Sequence, residues 1–448
     1  MKDSVAILGG GLAGLTLGSL LHNKNIPFRI YEKDELAGGI ARTEHLDAFK
    51  YDMGAHRFHN RDPKLTRWVT ELLQGSIIEV NKKSAISRFG TLIDFPLSPL
   101  NLITQAPLSK SLIYSLSWIT RRTDKQDNLK DFAISRFGKA LAQDFILDYS
   151  HKLWGKPPEE LSLELGSARL KQLDFPTLIK EIIHNKRANN RHIDGQFLYP
   201  IGGFGEIPRQ LSSLFDRDQL YVNNTILSIK EHGRYFDVTT QQGMFKHKYL
   251  VNTLPLDKFA TLYDNVTHFP HELFQYRHLM AVFLTLNQRQ ISPHVSLYFP
   301  EPSHTFTRAH EPRNRWQGMS PQGKTSVLLE IPMSEPWKAS PQIADQAIEE
   351  FCNTGLIEKN SILNRKEFWA PYAYPIITNS CTAPRAAFLK SLESNNKVFC
   401  LGRNARFSYL HCHDIYKESL ELCQKIENTY HISKSTSSLE QHTYNIHN

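Results

Sequence analysis

The strongest constraint on the fold of this chain is a glycine-rich stretch, Gly9-Gly10-Gly11-Leu12-Ala13-Gly14, set between two different hydrophobic patterns. Before it, Val5-Ala6-Ile7-Leu8 is wholly apolar, as a strand buried on both faces of a parallel sheet must be. After it, Leu15 to Leu21 places apolar residues at helical spacing, and Phe28-Arg29-Ile30-Tyr31 reads as a second strand ending at Glu32. Together these make one βαβ unit. The spacing Gly9-x-Gly11-x-x-Gly14 has a mechanical meaning at such a junction. The first glycine allows a tight turn and the second lets a pyrophosphate approach the backbone. The third permits close helix–strand packing, while the helix N-terminus, at Leu12 and Ala13, attracts the phosphate charge. Glu32, followed by Lys33, is placed to accept hydrogen bonds from a ribose. A bound dinucleotide is predicted on this turn.

The remainder has the composition of an ordinary folded protein. Of 448 residues, 40% are hydrophobic and 22% charged, which excludes wholesale disorder. The length predicts about two or three lobes. Lysines and arginines number 53 against 45 acidic residues, a net charge of +8, but the excess is scattered. Its densest stretches, Lys186-Arg187 with Arg191 and Arg313 with Arg315, are too short for a nucleic-acid-binding stripe and suit a small anionic ligand. Five cysteines (Cys352, Cys381, Cys400, Cys412, Cys423) lack any CxxC spacing. Neither a disulfide framework nor a metal site is predicted, and reduced thiols point to a cytoplasmic compartment. The opening apolar run is too short for a signal peptide. No stretch of about 18 apolar residues predicts a transmembrane span. Leu97 to Trp118 is the greasiest segment, interrupted by Asn101, Gln105 and Lys110. It reads as a buried or surface-lying helix, with peripheral membrane contact left open.

Further strands are expected at Gln219–Val222, Tyr235–Val238, Tyr249–Asn252 and Lys397–Leu401. Residues 100–190 carry helical spacing, including Phe132 to Tyr149, and residues 278–335 alternate apolar and polar as strands of a separate sheet. A helix from about Asp414 to Glu427 closes the fold, and the polar residues 431–448 form a frayed tail.

The residues after the second strand select among dinucleotides. Ala37-Gly38-Gly39-Ile40-Ala41-Arg42-Thr43 and Tyr51-Asp52-Met53-Gly54-Ala55-His56 resemble the GGxxxT and DxG(G/A)H segments of the flavoenzymes of the amine oxidase and protoporphyrinogen oxidase superfamily. The resemblance implies FAD as cofactor, with Gly38, Gly39 and Arg42 near its phosphates and Gly54, Ala55 and His56 at the flavin ring. It also implies that the strand before Gly402 and Arg403, with Leu410, His411 and Cys412 leading into the last helix, meets the ribityl chain and ring. The positive end of that helix favours negative charge on a reduced flavin.

Five further stretches are similar to segments of UDP-galactopyranose mutases and the mutase-like flavoproteins around them. They are Asp148–Gly155, His56-Arg57-Phe58-His59, Thr307–Asn314, Ala373-Tyr374-Pro375-Ile376 and Gly402–Leu410. This likeness implies an α/β protein. A Rossmann-like FAD-binding domain, a parallel sheet with helices, is assembled from residues 1–75, 195–256 and 375–430. A discontinuous α+β substrate domain comprises residues 76–194 and 257–374. It further implies isomerase chemistry on a nucleotide-sugar through the N5 of reduced flavin. His59, Arg308 and Arg403 take catalytic roles, and Tyr374, Tyr409 and Trp154 bind substrate. A diphosphate with about two negative charges needs guanidinium forks and hydroxyls, which these residues supply. Two departures keep an oxidoreductase alternative open, in which flavin takes a hydride from substrate. His411-Cys412-His413 replaces the mutases' Asp-Met, and Tyr199–Gly205 resembles the YPxGGxG segment of protoporphyrinogen oxidase-like members. An external reductant or electron acceptor for the flavin is implied either way.

Overall fold

The computed structural model of the chain describes residues 4–60, 62–97, 99–121, 126–165, 196–335, 340–394 and 396–444. The basic stretch Lys186-Arg187 with Arg191, and the helical region expected beyond residue 165, lie outside them. The chain divides into two compact units. One comprises Met1–Gly39, Pro208–Pro270 and Ala387–Asn448; the other comprises Ile40–Ile207 and His271–Ala386.

The first unit is built on a five-stranded sheet in the order Val398–Cys400, Tyr249–Asn252, Val5–Leu8, Phe28–Tyr31, Leu220–Tyr221. Every pairing is parallel. Val5–Leu8 is central and fully buried, which explains its unbroken apolar run. The helix Leu12–Asn23 follows it and buries Leu15, Leu17 and Leu21. A three-stranded antiparallel sheet, Ile226–His232, Tyr235–Thr240 and Gly243–His247, completes the β-structure described in this unit. The expected strands at Leu220 and Tyr249 therefore belong to the parallel sheet, and that at Tyr235 to the antiparallel one.

The second unit holds a seven-stranded mixed sheet in the order Ile362–Pro375, Tyr276–Leu286, Thr325–Met333, Arg308–His310, Ser296–Tyr298, Ser84–Arg88, Thr91–Phe95. Tyr276–Leu286 does not alternate between polar and apolar; it is buried at every position. The reason is that both faces are covered. Met280, Val282 and Leu284 pack against Ala344, Ala347 and Phe351 of the helix Pro341–Asn353, while Ala281 and Phe283 pack against Phe49 and Tyr51. The Tyr51 and Phe283 rings stack at 4.2 Å. That packing is why residues 40–75 group with the second unit.

One helical expectation is refined and one corrected. The stretch from Phe132 to Tyr149 is helical but divided. Leu129–Phe137 stops at Gly138, whose φ of 77° leaves the helical region, and a short helix, a π-type turn over Gln143–Leu147 and a further helix Asp148–Trp154 follow. Gly138 lies so close to Ser117 that a Cβ there would sit 2.5 Å from its carbonyl oxygen. At the other end, the last helix runs from Cys412 to Tyr444, well past Glu427 and through most of the supposed tail. No glycine or proline follows Gly402, so nothing local stops the helix.

Candidate functional site

In the first unit, the turn between Leu8 and Leu12 forms a backbone cradle. Gly9 sits at φ 106°, and a Cβ on Gly14 would lie 2.1 Å from the Gly9 carbonyl oxygen, so only glycine lets the helix close on the turn. A Cβ on Gly11 would meet no atom within 4 Å, so the backbone there is open. The Gly38 N–H donates to the Gly10 carbonyl at 2.7 Å, which brings the Gly38-Gly39 turn alongside. No side chain caps the helix at Gly11, and its first turn carries no acidic residue. The first intrahelical bond is that from Leu15 N–H to Gly11 O at 3.0 Å, which leaves the preceding N–H groups to an anion. The Glu32 carboxylate is oriented by the N–H of Gly10 at 2.9 Å and of Asp34 at 3.0 Å. Each oxygen retains a lone pair for a ribose hydroxyl. The Lys33 ammonium lies at the surface on Asp34, 2.8 Å away.

The strand from the far end of the chain reaches the same place. Gly402 has φ 86°, and a Cβ on it would lie 2.7 Å from Cβ of Ala13. Glycine is thus required both by conformation and by space. Arg403 donates to the Leu410 carbonyl through Nε (3.2 Å) and Nη2 (2.8 Å), and its guanidinium lies 5.1 Å from the centre of the Tyr409 ring. It therefore fixes the loop that carries Leu410, His411 and Cys412. The His411 N–H donates to Asp414 at 2.8 Å, and the His411 and His413 rings stack at 5.6 Å. Burial pushes the Cys412 thiol up to about 11, which keeps it protonated at neutral pH. Among the described residues, no group of three or more His, Cys, Asp or Glu side chains is arranged to hold a metal ion.

The second unit holds the other predicted residues. Arg308 and Glu330 face each other on adjacent antiparallel strands. Arg308 Nε donates to Glu330 Oε2 at 2.9 Å, and Nη2 reaches the same oxygen and the Tyr374 hydroxyl, the latter at 3.5 Å. Among the described residues, nothing is bonded to Arg308 Nη1, so one side of the fork is open. Burial works against the Arg308 charge, but Glu330 together with Tyr374, Tyr149 and Tyr298 around it holds the guanidinium pKa well above its ordinary value. Glu330 also accepts from the Ala55 N–H at 3.2 Å, which draws the Gly54-Ala55 turn to the pair. The His56 N–H donates to Gly54 O at 2.8 Å, and His56 Nε2 lies 2.6 Å from the Ile40 carbonyl. Arg42 pairs with Glu44 at 3.3 Å. Phe58 bridges Leu198 through backbone bonds, placing His59 at the end of that bridge. Trp154 is 1% exposed and meets the Tyr374 ring edge-on at 5.7 Å; it packs behind the tyrosine.

Residues 12–354 of the chain match the model of the flavin-containing amine oxidoreductases. The chain belongs to that family. As a member it is an FAD-dependent flavoenzyme, and the Gly11 cradle, the bare helix terminus and the held Glu32 carboxylate suit that cofactor. Among solved structures, reduced UDP-galactopyranose mutase is similar with a TM-score of 0.84 and 18% identity, covering 96% of each chain. A protein from Exiguobacterium sp. 255-15 assigned as a protoporphyrinogen oxidase is similar at 0.77 and 15% identity, covering 96% of this chain and 99% of the other. Putrescine oxidase bound to putrescine follows the same fold at 0.67 and 13% identity, covering 95% and 99%. At these identities the likeness is one of fold.

The structure thus gathers Gly9, Gly11, Leu12, Ala13, Gly14, Glu32, Gly38, Gly39 and Gly402 in one cradle, and Arg308, Tyr374, Trp154 and the Gly54–His56 turn in one cluster of the flavoenzyme's second unit. Of the two glutamates nearest Arg308 in the sequence or on the adjoining strand, Glu330 is its partner. Glu311 instead accepts from the N–H groups of Ile291 and Ser292. The residues sequence reasoning missed are His310 and Arg315. Both are buried, and burial with the Arg315 and Arg308 charges pushes His310 well below its ordinary pKa. Their signal was present: Glu330 interrupts an apolar strand, and a carboxylate in such a place needs cations around it.

Proposed function

We propose that this flavoenzyme acts on a nucleotide-sugar diphosphate in the manner of UDP-galactopyranose mutase, with Arg308 as the diphosphate anchor. The carrying observation is the half-engaged Arg308 fork, fixed by Glu330 and flanked by the Tyr374 hydroxyl. An arginine held this way keeps two N–H groups aimed outward in a rigid plane, the geometry that recognises phosphate oxygens. The full-length likeness to the mutase supports the reading.

Arg308 holds the diphosphate in place and offsets the charge that grows on it as the bond to the sugar lengthens. Glu330 keeps the fork from rotating, and the Tyr374 hydroxyl adds a donor at its edge. His59 is assigned to the flavin side, and Arg403 sets the loop before the last helix. Bound in the cradle, reduced FAD supplies a nucleophilic N5. The residues contribute orientation and charge.

The test is turnover. Protein reduced with dithionite is incubated with UDP-galactopyranose or UDP-galactofuranose, and interconversion is followed by chromatography. Arg308→Lys keeps the charge but loses the fork, and kcat/KM falls about 100-fold, or about 2.7 kcal/mol. Absence of turnover with every UDP-sugar, together with peroxide release from an amine, establishes the second reading, hydride transfer from substrate to flavin. That reading is favoured by the family model itself, which is one of amine oxidoreductases.

A further inference from the structure

We propose that the helix Leu108–Ile119 is a docking surface for an anionic lipid bilayer. Five of its large aliphatic side chains, Leu108, Leu112, Ile113, Leu116 and Ile119, are 48–73% exposed. At about 100° per residue, four of them fall within an arc of about 80°, and Ile113 widens it to about 140°. The polar groups point the other way. Tyr114 donates to Asp144 at 2.7 Å, Lys110 pairs with Asp144 at 3.0 Å, and the Ser117 hydroxyl accepts from the Ala140 N–H at 2.9 Å. These three contacts hold the helix by one side, with the five aliphatic side chains outward beside the exposed Ser109 and Ser115. A contiguous patch of this kind on a folded surface marks an interaction site.

Charge identifies the occupant. No acidic residue occurs between Phe95 and Thr123. Asp144, the carboxylate beneath the helix, is neutralised by both Arg88 and Lys110. Cations border the patch: Arg121, whose guanidinium lies 4.0 Å over the Trp118 ring, and exposed Lys139 after Gly138, which packs on the Ser117 carbonyl. Uncharged aliphatic side chains bordered by lysine, arginine and tryptophan describe a helix lying in an anionic lipid interface. A second copy of this chain would instead set the same cations against each other across the contact. Twelve residues are too few to span a bilayer, and no described helix is long and apolar enough to cross one.

The FAD-loaded protein is sedimented with vesicles of equal parts phosphatidylglycerol and phosphatidylcholine, and with phosphatidylcholine alone. It is expected to pellet with the first at least about tenfold more strongly than with the second. The double variant Leu112→Glu/Leu116→Glu, checked for unchanged flavin absorbance and melting temperature, is expected to lose at least about tenfold of that partition. The single variant Ile119→Glu repeats the measurement should the double variant fail to fold. Three results overturn the proposal. They are protein that remains in solution with both vesicles, partition that ignores lipid charge or these substitutions, and a lipid-free dimer by light scattering that the substitutions dissolve.

Discussion

At the scale of single residues, the arginine–carboxylate pair carries the most testable physics. Glu330 is 3% exposed, so its replacement strands the Arg308 charge in a low-dielectric setting. Glu330→Gln is expected to cost about 3 kcal/mol of stability, read as a lowered melting temperature, and Arg308→Met/Glu330→Gln is expected to cost less than the single change. A double variant less stable than Glu330→Gln contradicts this account. Arg308 was recognisable from its neighbours in the sequence, but the choice between Glu311 and Glu330 as its partner was not, because cross-strand register rather than sequence proximity decides it.

Titration belongs to the same scale. Burial pushes His247 down to about 3 and His278 down to about 4, and drives His310 well below the ordinary histidine value. Unfolded, each takes up a proton near pH 6.5; folded, each remains neutral until far lower pH. Between those values the unfolded chain binds more protons, so stability is full above about pH 6.5 and falls as the pH drops. By pH 5 each of these groups removes up to about 2 kcal/mol. Melting temperatures measured at pH 7 and pH 5 should therefore separate. The gap narrows in His278→Asn, which retains an acceptor for the Tyr372 N–H now bonded to His278 Nδ1 at 3.0 Å.

At the scale of elements, glycines make the junctions. Gly402→Ala puts a side chain at φ 86° and 2.7 Å from the Ala13 Cβ, so the strand end must retreat from the helix start. The expected result is a loss of more than about 2 kcal/mol and a fall in the FAD-to-protein absorbance ratio. Full occupancy and an unchanged melting temperature would show that the two ends need not meet this closely. The opening βαβ unit was legible because its chemistry is local: an apolar run, a turn only glycine can make, and helical spacing. The break at Gly138 was less legible. A glycine within a helical pattern often stays helical, and here the approach to Ser117 decides otherwise.

At the scale of the molecule, the two units differ in how far the sequence reveals them. The parallel sheet declares itself through largely apolar strands, buried at every position. The second unit is harder, because Tyr276–Leu286 draws one face of its covering from residues more than two hundred positions earlier, Phe49 and Tyr51. No local pattern records that partner. Arg308, Tyr374 and Trp154 were traceable through resemblance, whereas the sequence left open whether the stripe on Leu108–Ile119 is buried or surface-lying. Its orientation is decided by Asp144 and Ala140, which hold its polar side.

The order of strands in the parallel sheet governs when this protein becomes a flavoprotein. The strand Val5–Leu8 leaves the ribosome early, yet its neighbour Tyr249–Asn252 emerges more than two hundred residues later, and Val398–Cys400 later still. Until then Val5–Leu8 is paired on one side alone, with Phe28–Tyr31, and Ala13 lacks the glycine that closes over it. Completion of the glycine-rich turn proposed to hold FAD is consequently a late event in biogenesis, because it waits for strands far apart in the sequence.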